Sequence, residues 1–164
     1  VDVLLKALAL VRRKRALTAC VVGDGPDIHA LKKLAETQGL GTSVAFPGRL
    51  PTAQALKRGR LLVLPSRAES FPYVVLEAVA GRVPLIASDV GGIAEILPEK
   101  NLCPPDNPDA LARHIEMALA IPVALTQDAK TLSESARVAF DEETMARNVT
   151  DFYQRLLAHK ENRS

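Results

Sequence analysis

Residues 61–89 read LLVLPSRAESFPYVVLEAVAGRVPLIASD, and this stretch predicts a strand, a helix and a second strand in that order. Residues 61–64 and 84–87 are short apolar runs, which is typical of strands covered on both faces. Residues 72–80 between them predict a helix with a proline near its first position, where the missing N–H costs nothing. Apolar strands that alternate with helices indicate a parallel sheet of the α/β class.

The same alternation continues in both directions from this stretch. Further strands are predicted at residues 17–22, 43–46 and 101–103. Helices are predicted at residues 3–11, 28–35, 52–58, 108–120 and 123–138, with a short one after Gly91-Gly92. Asp141 is a favourable N-cap for a last helix, whose start Phe140 and Met145 would fix as a hydrophobic staple. The apolar face of that helix is formed by Val149, Phe152, Tyr153, Leu156 and Leu157.

The composition fits one domain of ordinary size. The chain has 164 residues, of which 48% are apolar, so it can bury a core without metal or disulfides. Its 21 basic and 19 acidic residues leave a net charge of +2, and we interpret Arg12-Arg13-Lys14-Arg15 as the solvated end of a helix. No apolar run approaches the ~20 residues that span a bilayer. Because the chain enters a helical pattern at Val1 without a methionine, we expect a fragment of a longer polypeptide.

Four segments that follow predicted strands contain the residues of unusual type. They are residues 23–26, 48–50, 66–71 and 89–92. In a parallel sheet, ligands bind outside the carboxyl ends of the strands. We therefore expect all four segments to lie along one edge of the sheet and to form a binding site.

The first of these segments, Gly23-Asp24-Gly25-Pro26, is a glycine-containing turn between a strand and a helix. Its backbone could approach a phosphate or a ribose closely, and the start of the helix would favour an anion. The third glycine of the dinucleotide fingerprint is absent, so taken alone the segment is more often only a tight turn.

Glu69 and Glu77 are separated by seven residues. Glu69 is predicted in the loop after a strand, and Glu77 about two turns into the next helix. The helix start between them carries a positive dipole, where a diphosphate could bind while the carboxylates bind hydroxyls on either side. On spacing alone, two exposed surface acids are the more frequent explanation, because charged residues are mostly exposed.

Longer motifs connect these segments to a known family. Residues 65–78, PSRAESFPYVVLEA, resemble the signature of family 4 retaining glycosyltransferases, and residues 83–95, VPLIASDVGGIAE, are similar to its continuation. Residues 22–26 upstream and 104–106 downstream match as well. The resemblance runs from Val1 to about Ala120 with compatible spacing.

The resemblance implies a GT-B enzyme, in which two Rossmann-like domains face each other across a cleft. Residues 1–164 would be its C-terminal, donor-binding domain. Glu69 would hold hydroxyls of the donor sugar as the catalytic-site carboxylate, and Glu77 would hold the ribose. The sugar and diphosphate would contact Ser70, Phe71, Tyr73, Val74 and Val75, mainly through backbone amides. The nucleotide base would lie near Gly48, Arg49 and Leu50, and the nucleotide close to Gly23, Asp24, Gly25 and Pro26.

The resemblance also implies a reaction that needs neither a bound metal nor a cofactor. A UDP- or GDP-linked sugar would be transferred, with retention at the anomeric carbon, to a saccharide or lipid-linked acceptor. A helix dipole and basic side chains would offset the charge of the leaving diphosphate. The implied enzyme belongs to cytoplasmic polysaccharide biosynthesis, with peripheral association at the inner face of the membrane through the other domain and no nucleic-acid partner.

Two departures from the family pattern bear on the site. Ser70 and Pro72 stand where the family has glycine on both sides of the aromatic residue, and Pro72 lacks an N–H donor. The family's first strand, with its phosphate-binding arginine and lysine, would precede Val1. We therefore expect a break in the centre of the sheet, with a neighbouring chain or a rearranged segment covering the exposed backbone. The basic side chains nearest in sequence to the cleft segments, none of them assigned as a substitute, are Lys57, Arg67 and Arg49.

The residues leave other functions open. The chain could be a non-catalytic nucleotide-sugar-binding or regulatory module, or a purely structural domain. A two-carboxylate hydrolase is disfavoured, because the glutamates resemble ligand holders that flank a phosphate site.

Overall fold

The computed structural model describes residues 1–70, 72–139 and 141–161, and it confirms the α/β class. Five strands are described: β1 (Ala19–Val22), β2 (Val44–Gly48), β3 (Leu62–Leu64), β4 (Leu85–Ser88) and β5 (Leu102–Cys103). The α-helices are α1 (Asp2–Arg12), α2 (Ile28–Thr37), α3 (Thr52–Ala55), α4 (Tyr73–Ala80), α5 (Pro108–Ala120), α6 (Pro122–Ala139) and α7 (Glu142–Glu161). Short 3₁₀ turns cover Leu56–Arg58, Gly91–Glu95 and Glu99–Asn101.

Strands β3, β4 and β5 form a parallel sheet that is covered by helices on both faces. Because side chains alternate along a strand, Ile86 of β4 packs in one core cluster while Leu85 and Ala87 pack in the other. The first cluster contains α1 and α5, and the second contains α4 together with side chains of α6. This arrangement confirms the predicted coverage of both faces.

The first helix is firmly anchored in the core. Val3, Leu5, Ala7, Leu8 and Val11 of α1 are buried, and they pack against α5. Side chains of both β1 and β3 join the same cluster. Helix α1 therefore lies over the boundary between the strands of the first and second halves of the chain.

The sheet is divided at that boundary. Strands β1 and β2 pair in parallel with each other, and β3, β4 and β5 form a separate sheet. Within the described ranges, β1 pairs only along its β2 edge and β3 only along its β4 edge. All residues of β1 and β3 are half-buried, whereas every residue of β4 is buried. The expected break in the sheet is present.

Most predicted helices are found with shifted ends. The predicted helix at 52–58 is α-helical only over Thr52–Ala55 and continues as a 3₁₀ turn. Helix α5 begins after Asn107, whose side chain accepts a hydrogen bond from the amide of Ala110 at 2.9 Å. No helix in the described part of the chain is both long enough and apolar enough to cross a membrane.

The last helix is present, and the described part of its apolar face is exposed, while the side chains of Leu156 and Leu157 lie outside the described part of the chain. Met145, Val149, Phe152 and Tyr153 of α7 are exposed, and the rings of Phe152 and Tyr153 contact each other edge to face at 6.0 Å between centroids. The predicted staple involves Phe140, which lies outside the described residues.

Candidate functional site

The loops after β1 and β2 are joined at the carboxyl ends of these strands. The amide of Gly23 donates to the carbonyl of Gly48 at 2.9 Å, and both glycines have positive φ, +137° and +80°. The Asp24 carboxylate accepts a hydrogen bond from the amide of Gly25 at 2.9 Å, which closes the turn locally. Segments 23–26 and 48–50 are thus neighbours, as predicted from the parallel order of the strands.

Glu69 has a fixed position in the loop after β3. The Ser66 hydroxyl donates to Glu69 Oε1 at 2.6 Å, and both side chains are half-buried. A hydrogen bond of this length to a carboxylate is of the strong, charge-assisted kind. It holds the carboxylate in one orientation and leaves the other oxygen, Oε2, with no recorded partner among the described residues.

The loop after β4 touches the backbone of Glu69. Gly91 has φ +56°, and a Cβ at this position would collide with the carbonyl oxygen of Glu69 and lie 3.1 Å from its carbonyl carbon. Only a residue without a Cβ fits such a contact without strain. The third and fourth predicted segments are therefore in direct contact.

Helix α4 begins at Tyr73, with Pro72 buried as its N-cap residue. The helix packs Val75, Ala78 and Val79 into the core, so Tyr73 lies on the opposite, exposed face. Val75 differs from its predicted neighbours in the site, because its side chain is buried and its amide already donates to the carbonyl of Pro72 at 2.9 Å. In this chain Val75 is a core residue, and it offers a ligand no free amide.

The remaining predicted residues around this helix are solvent-facing. Ser70 is exposed and Val74 is half-buried at the start of α4. Phe71 lies outside the described residues. Glu77 is exposed on the same face of α4 as Tyr73, one turn further along, which is closer to the helix start than the two turns expected from the sequence.

Arg67 is the basic side chain best fixed at this end of the molecule. Its Nε donates to Asp106 Oδ1 at 2.7 Å and its terminal nitrogen to Asp2 Oδ2 at 2.9 Å. The hydrogen bond from Arg67 holds the pKa of Asp2 below its usual value. Arg67 thus ties the loops after β3 and β5 to the start of α1, and its charge is already matched by two carboxylates.

The other two basic candidates are separated by the fold. Arg49 is exposed directly after β2, at the candidate site, and has no recorded ion pair with a described residue. Lys57 lies in the 3₁₀ turn that precedes β3, at the opposite end of the strands. Only Arg49 therefore combines the right position with an unmatched charge.

The cavities recorded for the described residues do not coincide with the candidate site. The two recorded cavities of the described residues lie elsewhere, one between the ends of α1 and α2 and one between α5, α6 and the beginnings of β4 and β5. Neither is lined by Glu69 or Glu77. Among the described residues no group of three or more His, Cys, Asp or Glu side chains is arranged to hold a metal ion.

Comparison with known proteins agrees with this architecture. A family model described as "Glycosyl transferases group 1" matches residues 1–121. The chain is 32% identical, over 164 aligned positions, to the D-inositol 3-phosphate glycosyltransferase of Jonesia denitrificans, and the match covers 92% of this chain and 38% of that protein. The matches to two curated relatives cover only 32% and 38% of their lengths.

Solved structures extend the comparison to three dimensions. Sucrose-phosphate synthase from Thermosynechococcus elongatus is 27% identical, with a TM-score of 0.76 over 96% of this chain and 43% of that one. Anabaena HepE in complex with UDP-glucose is 24% identical and shares the fold, with a TM-score of 0.79 over 93% of this chain and 44% of that one.

Proposed function

Because the chain belongs to the group 1 glycosyl transferases, we propose that it is the donor-binding domain of a retaining enzyme that transfers a sugar from a nucleotide. The observation that carries the proposal is the contact between the loops after β3 and β4, at the carboxyl ends of these strands, where Glu69 is held. Two contacts hold Glu69, the Ser66 hydrogen bond and the close approach of Gly91, and a separate hydrogen bond between Gly23 and Gly48 joins the loops after β1 and β2.

Each part of this surface has a distinct role in the proposal. The first turn of α4 receives the diphosphate, since amide groups at a helix start point outward and favour anions. Glu69 accepts hydroxyl groups of the sugar, and Glu77 accepts those of the ribose. Arg49 contributes a positive charge beside the nucleotide. Residues 23–26 and 48–50 line the nucleotide and its base.

The donor is a UDP- or GDP-linked sugar, which is consistent with a structural neighbour that binds UDP-glucose. The acceptor is a saccharide or a lipid-linked saccharide, held by a second domain that forms the other wall of the cleft. Transfer is metal-independent and uses no cofactor, because the helix dipole and basic side chains offset the leaving diphosphate. We place the enzyme in the cytoplasm, with a peripheral contact of that second domain to the inner face of the membrane.

Calorimetric titration of the 164-residue chain with UDP-glucose and with GDP-mannose tests the proposal. Hydrogen bonds to a charged group contribute about 1.5–3 kcal/mol, so Glu77→Ala should weaken donor binding by roughly 10- to 150-fold. Glu134→Ala is the matched control, since Glu134 is also an exposed helical glutamate but lies on α6. Equal affinities of the two variants, or no binding of either donor, would refute the donor site.

A non-catalytic donor-binding or regulatory module is the alternative, and it predicts the same titration. The enzyme and the non-catalytic module are distinguished by an assay of labelled-sugar transfer, carried out on the polypeptide that also contains the acceptor domain. Loss of transfer in Glu69→Ala, with transfer retained in the Glu134→Ala control, supports the enzyme. Donor binding without any transfer supports the module.

A further inference from the structure

Basic side chains concentrate at the end of the molecule opposite the candidate site. Parallel strands begin at the same end of a sheet, and the segments that precede them here are rich in lysine and arginine. We call this surface the basic pole, and its nine members, all exposed, are Arg12, Arg13, Lys14, Arg15, Lys57, Arg58, Arg60, Arg82 and Lys100.

Two ion pairs show that the two sheets begin on the same side. Lys14, just before β1, pairs with Glu116 near the end of α5 at 2.9 Å. At the other end of the molecule, Arg67 joins the start of α1 to the loop after β3. Helices α1 and α5 thus both end where the strands begin, so the basic segments of the first and second halves form one surface.

Few acidic side chains balance this charge. The same segments and the adjoining helix turns contain four of them: Glu36, Glu99, Glu116 and Asp128. Two of the four already pair with Lys14 and Lys100. Nine against four leaves five positive charges in excess at one end of a chain whose net charge is +2, so the remainder of the chain carries a net charge of −3.

Exposed apolar side chains lie beside these charges. Met117, Ile121 and Val123, at the turn from α5 to α6, are 73%, 63% and 81% exposed. Met117 and Ile121 line a groove of about 200 Å³ that also contains Lys100. A solvated surface gains nothing from large apolar groups of this kind, but a surface that enters the headgroup layer of a bilayer does.

We propose that the basic pole binds the surface of an anionic phospholipid bilayer. The lysine and arginine side chains contact lipid phosphates, and Met117, Ile121 and Val123 enter the boundary between headgroups and acyl chains. A nucleic acid is a poorer partner, because these segments contain no aromatic side chain on which a base could stack and the three apolar residues would stay in water. This membrane contact belongs to the chain itself and does not depend on the donor site.

Flotation with phospholipid vesicles tests the proposal on the 164-residue chain. Vesicles of phosphatidylcholine with a third phosphatidylglycerol should bind the chain, and vesicles of phosphatidylcholine alone should not. The variant Arg13→Gln/Arg58→Gln/Arg60→Gln should weaken binding on the order of a hundredfold, at about 1 kcal/mol per charge. Raising the salt concentration should weaken the binding of the unmodified chain, because exposed charges are screened.

A matched variant removes three exposed charges away from the basic pole. Lys6→Gln/Arg137→Gln/Arg147→Gln lowers the net charge equally and should keep most of the binding. If both triple variants lose binding equally, the effect is one of net charge and the proposal fails.

The apolar part of the surface is tested separately. Ile121→Ser/Val123→Ser should lower binding by at least roughly tenfold, since about 0.8 kcal/mol is lost for each CH₂ withdrawn from the bilayer. Val138→Ser/Met145→Ser, at equally exposed positions outside the pole, should not. Circular dichroism checks that all variants stay folded. Tighter binding to a single-stranded oligonucleotide than to anionic vesicles would identify a nucleic acid as the partner and overturn the proposal.

Discussion

Replacing Gly91 with alanine perturbs the contact on which the position of Glu69 depends. Gly91 has φ +56°, and an added Cβ would collide with the Glu69 carbonyl oxygen and lie 3.1 Å from its carbonyl carbon. The neighbouring Gly92 has neither constraint, since no atom lies within 4 Å of its Cβ position. The two glycines therefore form a matched pair of sites within one 3₁₀ turn.

The loss of thermal stability expected in Gly91→Ala follows from the backbone conformation. A left-handed conformation costs a residue with a side chain about 1–2 kcal/mol relative to glycine. In a domain of this size, each kcal/mol lowers Tm by roughly 2–4 °C, so the backbone alone should lower Tm by roughly 2–8 °C in Gly91→Ala. Relief of the collision must also move the Glu69 backbone, so we expect weaker donor binding as well.

Thermal unfolding followed by circular dichroism measures the first effect, and calorimetric titration with UDP-glucose measures the second. The free energy of unfolding of Gly92→Ala should lie within ~0.5 kcal/mol of that of the unmodified chain, as is usual for surface substitutions. Equal Tm values for the two alanine variants would refute the described contact. A lowered Tm with unchanged donor affinity would show that Glu69 does not depend on Gly91 for its position.

Three further substitutions test other contacts. Arg67→Ala should raise the pKa of Asp2 toward its usual value of 3.8, as measured by NMR titration of the Asp2 carboxyl, and an unchanged pKa would contradict the ion pair. Because the pKa of Asp2 is lowered in the folded chain, the ion pair stabilises the fold above about pH 4, and this stabilisation is lost as the pH falls through the folded-state pKa. Burial raises the pKa of the Cys103 thiol, so the half-buried Cys20 should react first with a thiol reagent. A fast phase of the reaction that survives in Cys20→Ser would show that Cys20 is not the faster thiol. Asn107→Ala should lower the free energy of unfolding by about 1 kcal/mol in urea titrations while Asn107→Asp retains the cap, and equal losses in both would argue against capping.

The order of strands and helices could be predicted from the sequence because the strands are short apolar runs. In β4, Leu85, Ile86 and Ala87 are all buried, so the run itself identifies a strand covered on both faces. The parallel order then brings Gly23 and Gly48 to one edge without further information. The break in the sheet was predicted from a resemblance to a family, since nothing in the residues present identifies a strand outside them.

Contacts between distant surface groups could not be predicted. Arg67 binds Asp2 and Asp106, which are 65 and 39 positions away, and such pairs leave no periodic pattern in the sequence. Lys57 follows the β2 segment closely in sequence, but the intervening helix carries it to the opposite end of the strands. Periodicity predicted α7 correctly, yet it does not tell whether its apolar face is covered.

The opening between β1 and β3 affects how the isolated chain should behave at high concentration. Each of these strands has an edge whose N–H and C=O groups lack a strand partner among the described residues, and such edges are templates for pairing with other molecules. We expect the 164-residue chain to self-associate as its concentration rises. A short synthetic peptide of high β-propensity should suppress that association, since it pairs with an edge that would otherwise pair with another chain.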